Sequence, residues 1–393
     1  MDKGMRWSKE VDRIMDLLIQ TRYELHQIPE LAFHERQTAE YIRLRLEKLG
    51  LQCHTGIAGT GIAAFIPGNI GRKTYCFRAD MDALEVMELN EIPFKSQSPG
   101  LMHACGHDGH MSILLGLAEV LMQGGYQLRD NVLLLFQPGE EGTGGAEKII
   151  QSGILDDYKV DEIYGLHLFP GIQQGKLGIR PGPMMAQNSE IDINIYGENA
   201  HGGTPHMGND AIVIASQLMM AIQTIVSRSL NPLDPSVITF GRLTGGEVRN
   251  MIARRVTMEG TIRTFRGEAY ETLKSRLLAV IRGMEISYQC QIDVDLREMY
   301  PAVNNPADLT EDWIQAQGKE HVVLIEPVML AEDFAFYQQK YQGLFFFLGT
   351  RNEEKGLIHS LHHGRFNYDE AVLATGVQAY LNILIHKAAF DLG

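Results

Sequence analysis

The stretch NVLLLFQPGEEG, residues 131–142, runs through five successive apolar residues into a proline, two glycines and two glutamates. A short continuous apolar run that stops at turn residues reads as a strand buried on both faces. YCFRAD (75–80) and EIYGLHL (162–168) have the same character. Between the first two strands lies MSILLGLAEVLMQGG (111–125), a helical pattern with a glycine stop. Strands alternating with helices in this way predict an α/β layered domain with a mostly parallel sheet.

The pattern extends in both directions. Residues 8–50 read as helix: SKEVDRIMDLLIQTRYELHQIP stops before Pro29, and ERQTAEYIRLRLEKLG ends on a glycine. Residues 186–300 change character. SEIDINIYG is a half-buried strand, NDAIVIASQLMMAIQTIVSRS an amphipathic helix, and SVITFGRLTGG and RVTMEGTIRTF are strands. GEAYETLKSRLLAVIRGMEISY is a second helix, and QCQIDVDLREMY a last strand. The order β-α-β-β-α-β is the split pattern of a ferredoxin-like sandwich. LFFFLGT (344–350) and DEAVLATGVQAYLNILIHKAAF (369–390) then resume the α/β character. The expectation is a discontinuous main domain, 1–184 plus 302–393, with an insertion at 185–301; a length of 393 residues suits two cores better than one.

Composition is that of a globular protein, 45% hydrophobic and 21% charged. A formal net charge of −14 argues against nucleic acid or an anionic membrane surface as partner. The first residues, MDKGMRWSKEVDRIMDLL, lack the apolar core of a signal peptide, and no run suggests a membrane span. Cys53, Cys76, Cys105 and Cys290 are scattered with no disulfide pattern, so a cytoplasmic location is expected.

Chemistry gathers at the strand ends. Asp80 and Asp82 follow one strand, Glu140 and Glu141 another, and His167 lies in the third; ligands of parallel α/β sheets collect at these carboxyl ends. In LMHACGHDGHM (101–111), Cys105 and His107 precede a helix expected to begin near residue 109, where peptide dipoles favour a thiolate. That thiolate could be a nucleophile with its base, a metal ligand or an inert thiol. The surplus of nitrogen, oxygen and sulfur donors, including Asp108 and His362, suits one or two divalent ions. Paired glutamates can then divide the work, one on the metal and one as general base.

Ten ordered segments carry a resemblance to a known family: ELHQIPELAFHERQTA, RADMDALEV, MHACGHDGH, QPGEEGTGGA, GLHLFPG, GENAHGGTPHMGNDA, GGEVRNMI, MEGTIRTF, AEDFAFY and LHHGRFNYDEAVL. Together they span nearly the whole chain. The sequence resembles the amidohydrolase branch of the aminoacylase/carboxypeptidase superfamily of di-metal hydrolases, which includes hippurate, N-acyl-amino-acid and auxin-conjugate hydrolases. The resemblance implies Cys105, His107, Glu141, His167 and His362 as ligands of two divalent ions (zinc, manganese, cobalt or nickel), with Cys105 in the bridging place. His363 competes for the last assignment, and Gly364 stands where the family usually has proline. Glu140 corresponds to the catalytic base; Asp82 is expected, from its place beside the ligands, to orient a ligand histidine.

By the same resemblance the insertion is a lid and dimerisation domain, which predicts a homodimer. His201 would polarise the scissile carbonyl, in a neighbouring active site, and Asn250 and Arg263 would hold the substrate's carboxylate. The implied reaction is metal-dependent hydrolysis of N-acyl amino acids to a carboxylic acid and a free amino acid. Rivals are a carboxypeptidase or dipeptidase at the same metals, and a cysteine hydrolase using Cys105 and His107.

Overall fold

The computed structural model describes residues 9–124 and 127–391; the helical reading from Ser8 and the glycine stop at Gly125 fall partly outside them. The chain is α/β and divides into two compact units. The larger takes its first segment as far as Gly182 and resumes with Asn304–Glu326 and from Asp333 onward. The smaller comprises Pro183–Val303 and Pro327–Glu332. The six-residue return belongs to the smaller unit because Val328 donates its N–H to the Met184 carbonyl at 3.0 Å, and Ala186 donates to Leu330 at 2.8 Å.

An eight-stranded sheet forms the larger unit. Its order is Cys53–Ile57, Gly61–Ile66, Asn131–Gln137, Thr74–Asp80, Glu162–Gln173, Gln342–Arg351, Leu177–Ile179 and Val322–Leu324. The four strands from Asn131–Gln137 to Gln342–Arg351 are mutually parallel. Antiparallel neighbours flank them on both sides. Thr74–Asp80 and Asn131–Gln137 are buried almost throughout; the second is an apolar run, and in the first the buried Arg78 and Asp80 pair with each other at 2.6 Å.

The helix His107–Gln123 packs on the strands Thr74–Asp80 and Glu162–Gln173, and the helices Met15–His26 and Ala371–His386 pack on it in turn. It begins two residues earlier than the sequence reading placed it. Gly106 takes the preceding position with φ of +89°, a conformation that suits glycine.

The smaller unit has a four-stranded antiparallel sheet in the order Ser236–Gly245, Arg255–Thr264, Gln187–Tyr196, Gln291–Glu298. With the helices Ala211–Arg228 and Gly267–Tyr288 it has the βαββαβ sequence of elements. The Asp210 carboxylate caps the first helix, accepting from the N–H groups of Ile212 and Val213. That helix is long and apolar enough to cross a membrane, contrary to the sequence reading. Here Ile214, Leu218, Ile222 and Ile225 form a stripe buried in the core of the smaller unit.

Candidate metal centre

The parallel register brings the acidic loops together. Asp80 lies opposite Gln137, so the chain turns into Asp82 and into Glu140–Glu141 side by side. Arg78 lies opposite Gly165, and two residues further along each strand Asp80 and His167 reach the same level. Asp82 joins the loops directly: its carboxylate accepts from the Glu140 N–H at 3.0 Å and the Glu141 N–H at 2.8 Å.

The N-terminus of the His107–Gln123 helix delivers Cys105 and His107 to this place. Cys105 Sγ lies 3.4 Å from His167 Nε2 and 3.3 Å from His362 Nε2, and His362 Nε2 is 3.0 Å from Glu141 Oε1. Among the five groups of donor atoms in the described residues that are close enough to hold an ion are Cys105, His107 and His167, and Cys105, Glu141 and His362. These two share the sulfur. Glu140 is buried and close to both His107 and Glu141.

Hydrogen bonds on the far side of each ring decide which nitrogen is free. His107 Nδ1 faces the Asp82 carbonyl at 2.8 Å and His167 Nδ1 the Leu168 carbonyl at 2.7 Å, so each Nδ1 donates and each Nε2 is the nitrogen left to bind a cation, whether proton or metal ion. His107 Nε2 is buried with no hydrogen-bond partner among the described residues, as a nitrogen waiting for a cation would be. Asp82 was expected to orient a ligand histidine; its backbone carbonyl takes the ring proton, while its carboxylate holds the glutamate turn.

Electrostatics also favour cations. Burial opposes a charge on His107, yet Asp80, Asp82 and Glu141 outweigh it and raise its pKa to about 10. The Cys105 thiol goes the opposite way from the sequence expectation. Burial first, then Glu141 and Glu140, push it well above the ordinary thiol range, overriding any help from the helix terminus. A thiolate here needs an adjacent cation, which fits a metal ligand and tells against a free nucleophile.

Of the neighbouring histidines, His362 turns into the cluster and His363 does not. His362 has φ of +62°, and its N–H donates to the Ala104 carbonyl at 2.9 Å. His363 is exposed and stacks on His359, with ring centroids 4.5 Å apart. The departure at Gly364 has a steric reason: a Cβ there would lie 2.3 Å from the Met87 carbonyl oxygen.

His201, Asn250 and Arg263 belong to the smaller unit. Gly202 donates its N–H to the Asn250 carbonyl at 2.8 Å, which sets the loops of His201 and Asn250 together, and His201 is exposed. Arg263 sits apart from them at the C-terminal end of the strand Arg255–Thr264, between Val237 and Asn188. It is half-buried and makes no ion pair among the described residues.

Read from the sequence, His110 is a structural residue flanking the helix rather than a ligand, and Glu35 is not singled out. His110 lies 2.6 Å from Asp80 and accepts the Leu168 N–H, and Glu35 accepts the Gly139 N–H. The signal for His110 is its place in the histidine-rich stretch, and that for Glu35 only its place in the segment ELHQIPELAFHERQTA.

The chain is similar to known proteins over most of its length. Residues 76–386 match the model of peptidase family M20/M25/M40. The chain is 40% identical to an N-acetyldiaminopimelate deacetylase of Anoxybacillus flavithermus, over 92% of this chain and 95% of the relative. It is 38% identical to one of Listeria monocytogenes, over 95% and 100%. Its fold is similar to that of a Bacillus subtilis protein described as a dinuclear metal binding peptidase of the M20 family, with a TM-score of 0.82, 31% identity and coverage of 96% and 99%. The chain therefore belongs to peptidase family M20/M25/M40, as a metal-dependent amidohydrolase.

Proposed function

We propose that the protein removes the acyl group from N-acyl amino acids, and that an N-acetylated diamino acid of the N-acetyldiaminopimelate type is its substrate. The observation that carries the reading is the pair of donor sets sharing Cys105, with Glu140 buried beside them. Support for the substrate comes from the two deacetylases, which align with this chain over nearly their full lengths.

In this reading Cys105, His107 and His167 would hold one divalent ion, and Cys105, Glu141 and His362 the other. Such ions, when bound, polarise an acyl carbonyl and make water a stronger acid. Glu140 takes the proton from the attacking water and returns it to the leaving nitrogen. Asp82 keeps Glu140 and Glu141 in register through their peptide N–H groups. His201 stabilises the developing oxyanion, and Asn250 and Arg263 hold the substrate's carboxylate, for which a guanidinium fork is suited.

The reading includes a cytoplasmic homodimer formed through the smaller unit. Exposed apolar side chains there, Met220 and Leu233 among them, and the sheet-edge strand Ser236–Gly245 support that surface.

The test is a substrate panel of N-acetyldiaminopimelate, other N-acetyl and N-benzoyl amino acids, and dipeptides, each with and without chelator. The expected result is chelator-sensitive release of acetate, fastest from the diamino substrate. Preferential cleavage of dipeptides would make the protein a dipeptidase at the same centre. Glu140→Ala should lose turnover and keep its metal; a variant that still turns over would remove Glu140 from its role.

A further inference from the structure

Glu35 lies outside the residues matched by the family model, 76–386, and is completely buried. A carboxylate in that position must find hydrogen-bond donors. Oε1 accepts from the Phe33 N–H and from the Gly139 N–H, both at 2.9 Å, and Oε2 accepts from the Thr60 hydroxyl at 2.6 Å. The Gly139 bond reaches from the N-terminal segment to the turn that carries Glu140 and Glu141.

The surroundings fit that turn closely. Phe33 has φ of +63°, unusual for an aromatic residue and of a kind that persists only where neighbours enforce it. Its ring faces Gly139, which has φ of +70°; a Cβ on Gly139 would come within 2.4 Å of the ring. A Cβ on Gly142 would come within 2.7 Å of the Ala32 Cβ. Residues 32–35 thus form a saddle under the turn. Asp82 accepts the next two N–H groups, so three successive peptides, Gly139 to Glu141, are held by two buried carboxylates.

We propose that Glu35 is a positioning residue for Glu140: by holding the Gly139 peptide it sets the direction in which Glu140 leaves the backbone. This rests on the reading of Glu140 as the general base. A base displaced by about an ångström loses much of its effect, and residues that support a catalytic group are typically worth about 10- to 100-fold in activity.

The experiment compares Glu35→Met, Glu35→Asp and Glu35→Gln in the full-length protein, reading metal content, melting temperature, KM and kcat on an N-acetyl amino acid. Methionine fills the volume but offers no acceptor. Aspartate keeps the charge and withdraws it by one methylene from Gly139. Glutamine can still accept from Gly139 through its oxygen while donating to Thr60, and serves as the rescue. The expected result is an unchanged metal content and KM, with kcat down about 10- to 100-fold in Glu35→Met. Glu35→Asp should be intermediate and Glu35→Gln close to wild type.

If Glu35→Met does not fold, the gap in kcat between aspartate and glutamine decides. Equal kcat in all folded variants, with only the melting temperature lowered, would overturn the proposal. So would a loss of kcat that follows a loss of metal. Glu140→Gln separates the two readings. If it is inactive while the Glu35 variants match wild type, positioning fails and the base stands. If it retains turnover, the base reading fails, and the positioning proposal falls with it. The double variant should be no slower than Glu140→Gln, because Glu35 acts through Glu140.

Discussion

His110 and Asp80 meet at 2.6 Å, Nδ1 to Oδ1, and the tautomer of the ring is settled by its other side. The Leu168 N–H donates to His110 Nε2 at 2.9 Å, so the proton sits on Nδ1 and goes to Asp80. The Leu168 carbonyl meanwhile accepts from His167 Nδ1. One residue of the strand thereby ties His110 to His167, while Arg78 holds the other oxygen of Asp80 at 2.6 Å.

His110→Phe keeps a ring in this place and removes both hydrogen bonds. Metal titration of the variant should show affinity weakened by about 10- to 100-fold. Unchanged affinity would mean that His110 only fills space.

His26 supplies a pH dependence of stability. Burial works against its charge, but the carboxylates of Asp108 at 2.8 Å and Glu88 at 3.2 Å prevail and raise its pKa from 6.5 to about 8. A group whose pKa is raised on folding stabilises fully below its unfolded value, and that contribution is lost as pH rises through the folded one. The difference is worth about 2 kcal/mol. Urea unfolding of the metal-free protein should therefore show stability falling between about pH 6.5 and 8, and His26→Gln should flatten this part of the curve. Identical curves for both proteins would contradict the assignment.

His362 and His363 should separate cleanly. His362→Ala is expected to lose metal and activity, and His363→Ala to stay within about twofold of wild type, since surface changes away from special contacts are usually small. Gly364→Ala should resemble a weak His362 variant, because its Cβ would press on Met87 and shift the loop. Full metal content in Gly364→Ala would show that the loop accommodates the methyl group.

Much of the architecture was legible because it rests on long periodic or continuous apolar patterns. The strand Asn131–Gln137 and the helix Gly267–Tyr288 declare themselves in this way. The hairpin of Cys53–Ile57 and Gly61–Ile66 was not legible: its first strand is mostly exposed and its sequence rich in glycine. Leu177–Ile179 spans three residues, too few for any pattern. At the site, the residue types and spacing of Cys105, His107, Glu140 and Glu141 could be read directly. Glu35 could not, because its partner Gly139 is more than a hundred residues away and the bond is to backbone, which leaves no trace in side-chain identity.

The sharing of Cys105 between two metals is the claim to test first, by elemental mass spectrometry on protein purified without chelator. Wild type should carry close to two divalent ions per chain. His167→Ala and His362→Ala should each lose mainly one, and Cys105→Ala should lose both. A wild-type sample that carries no metal, hydrolyses N-acetyl amino acids and is stopped by iodoacetamide would contradict the account and return Cys105 to the role of nucleophile.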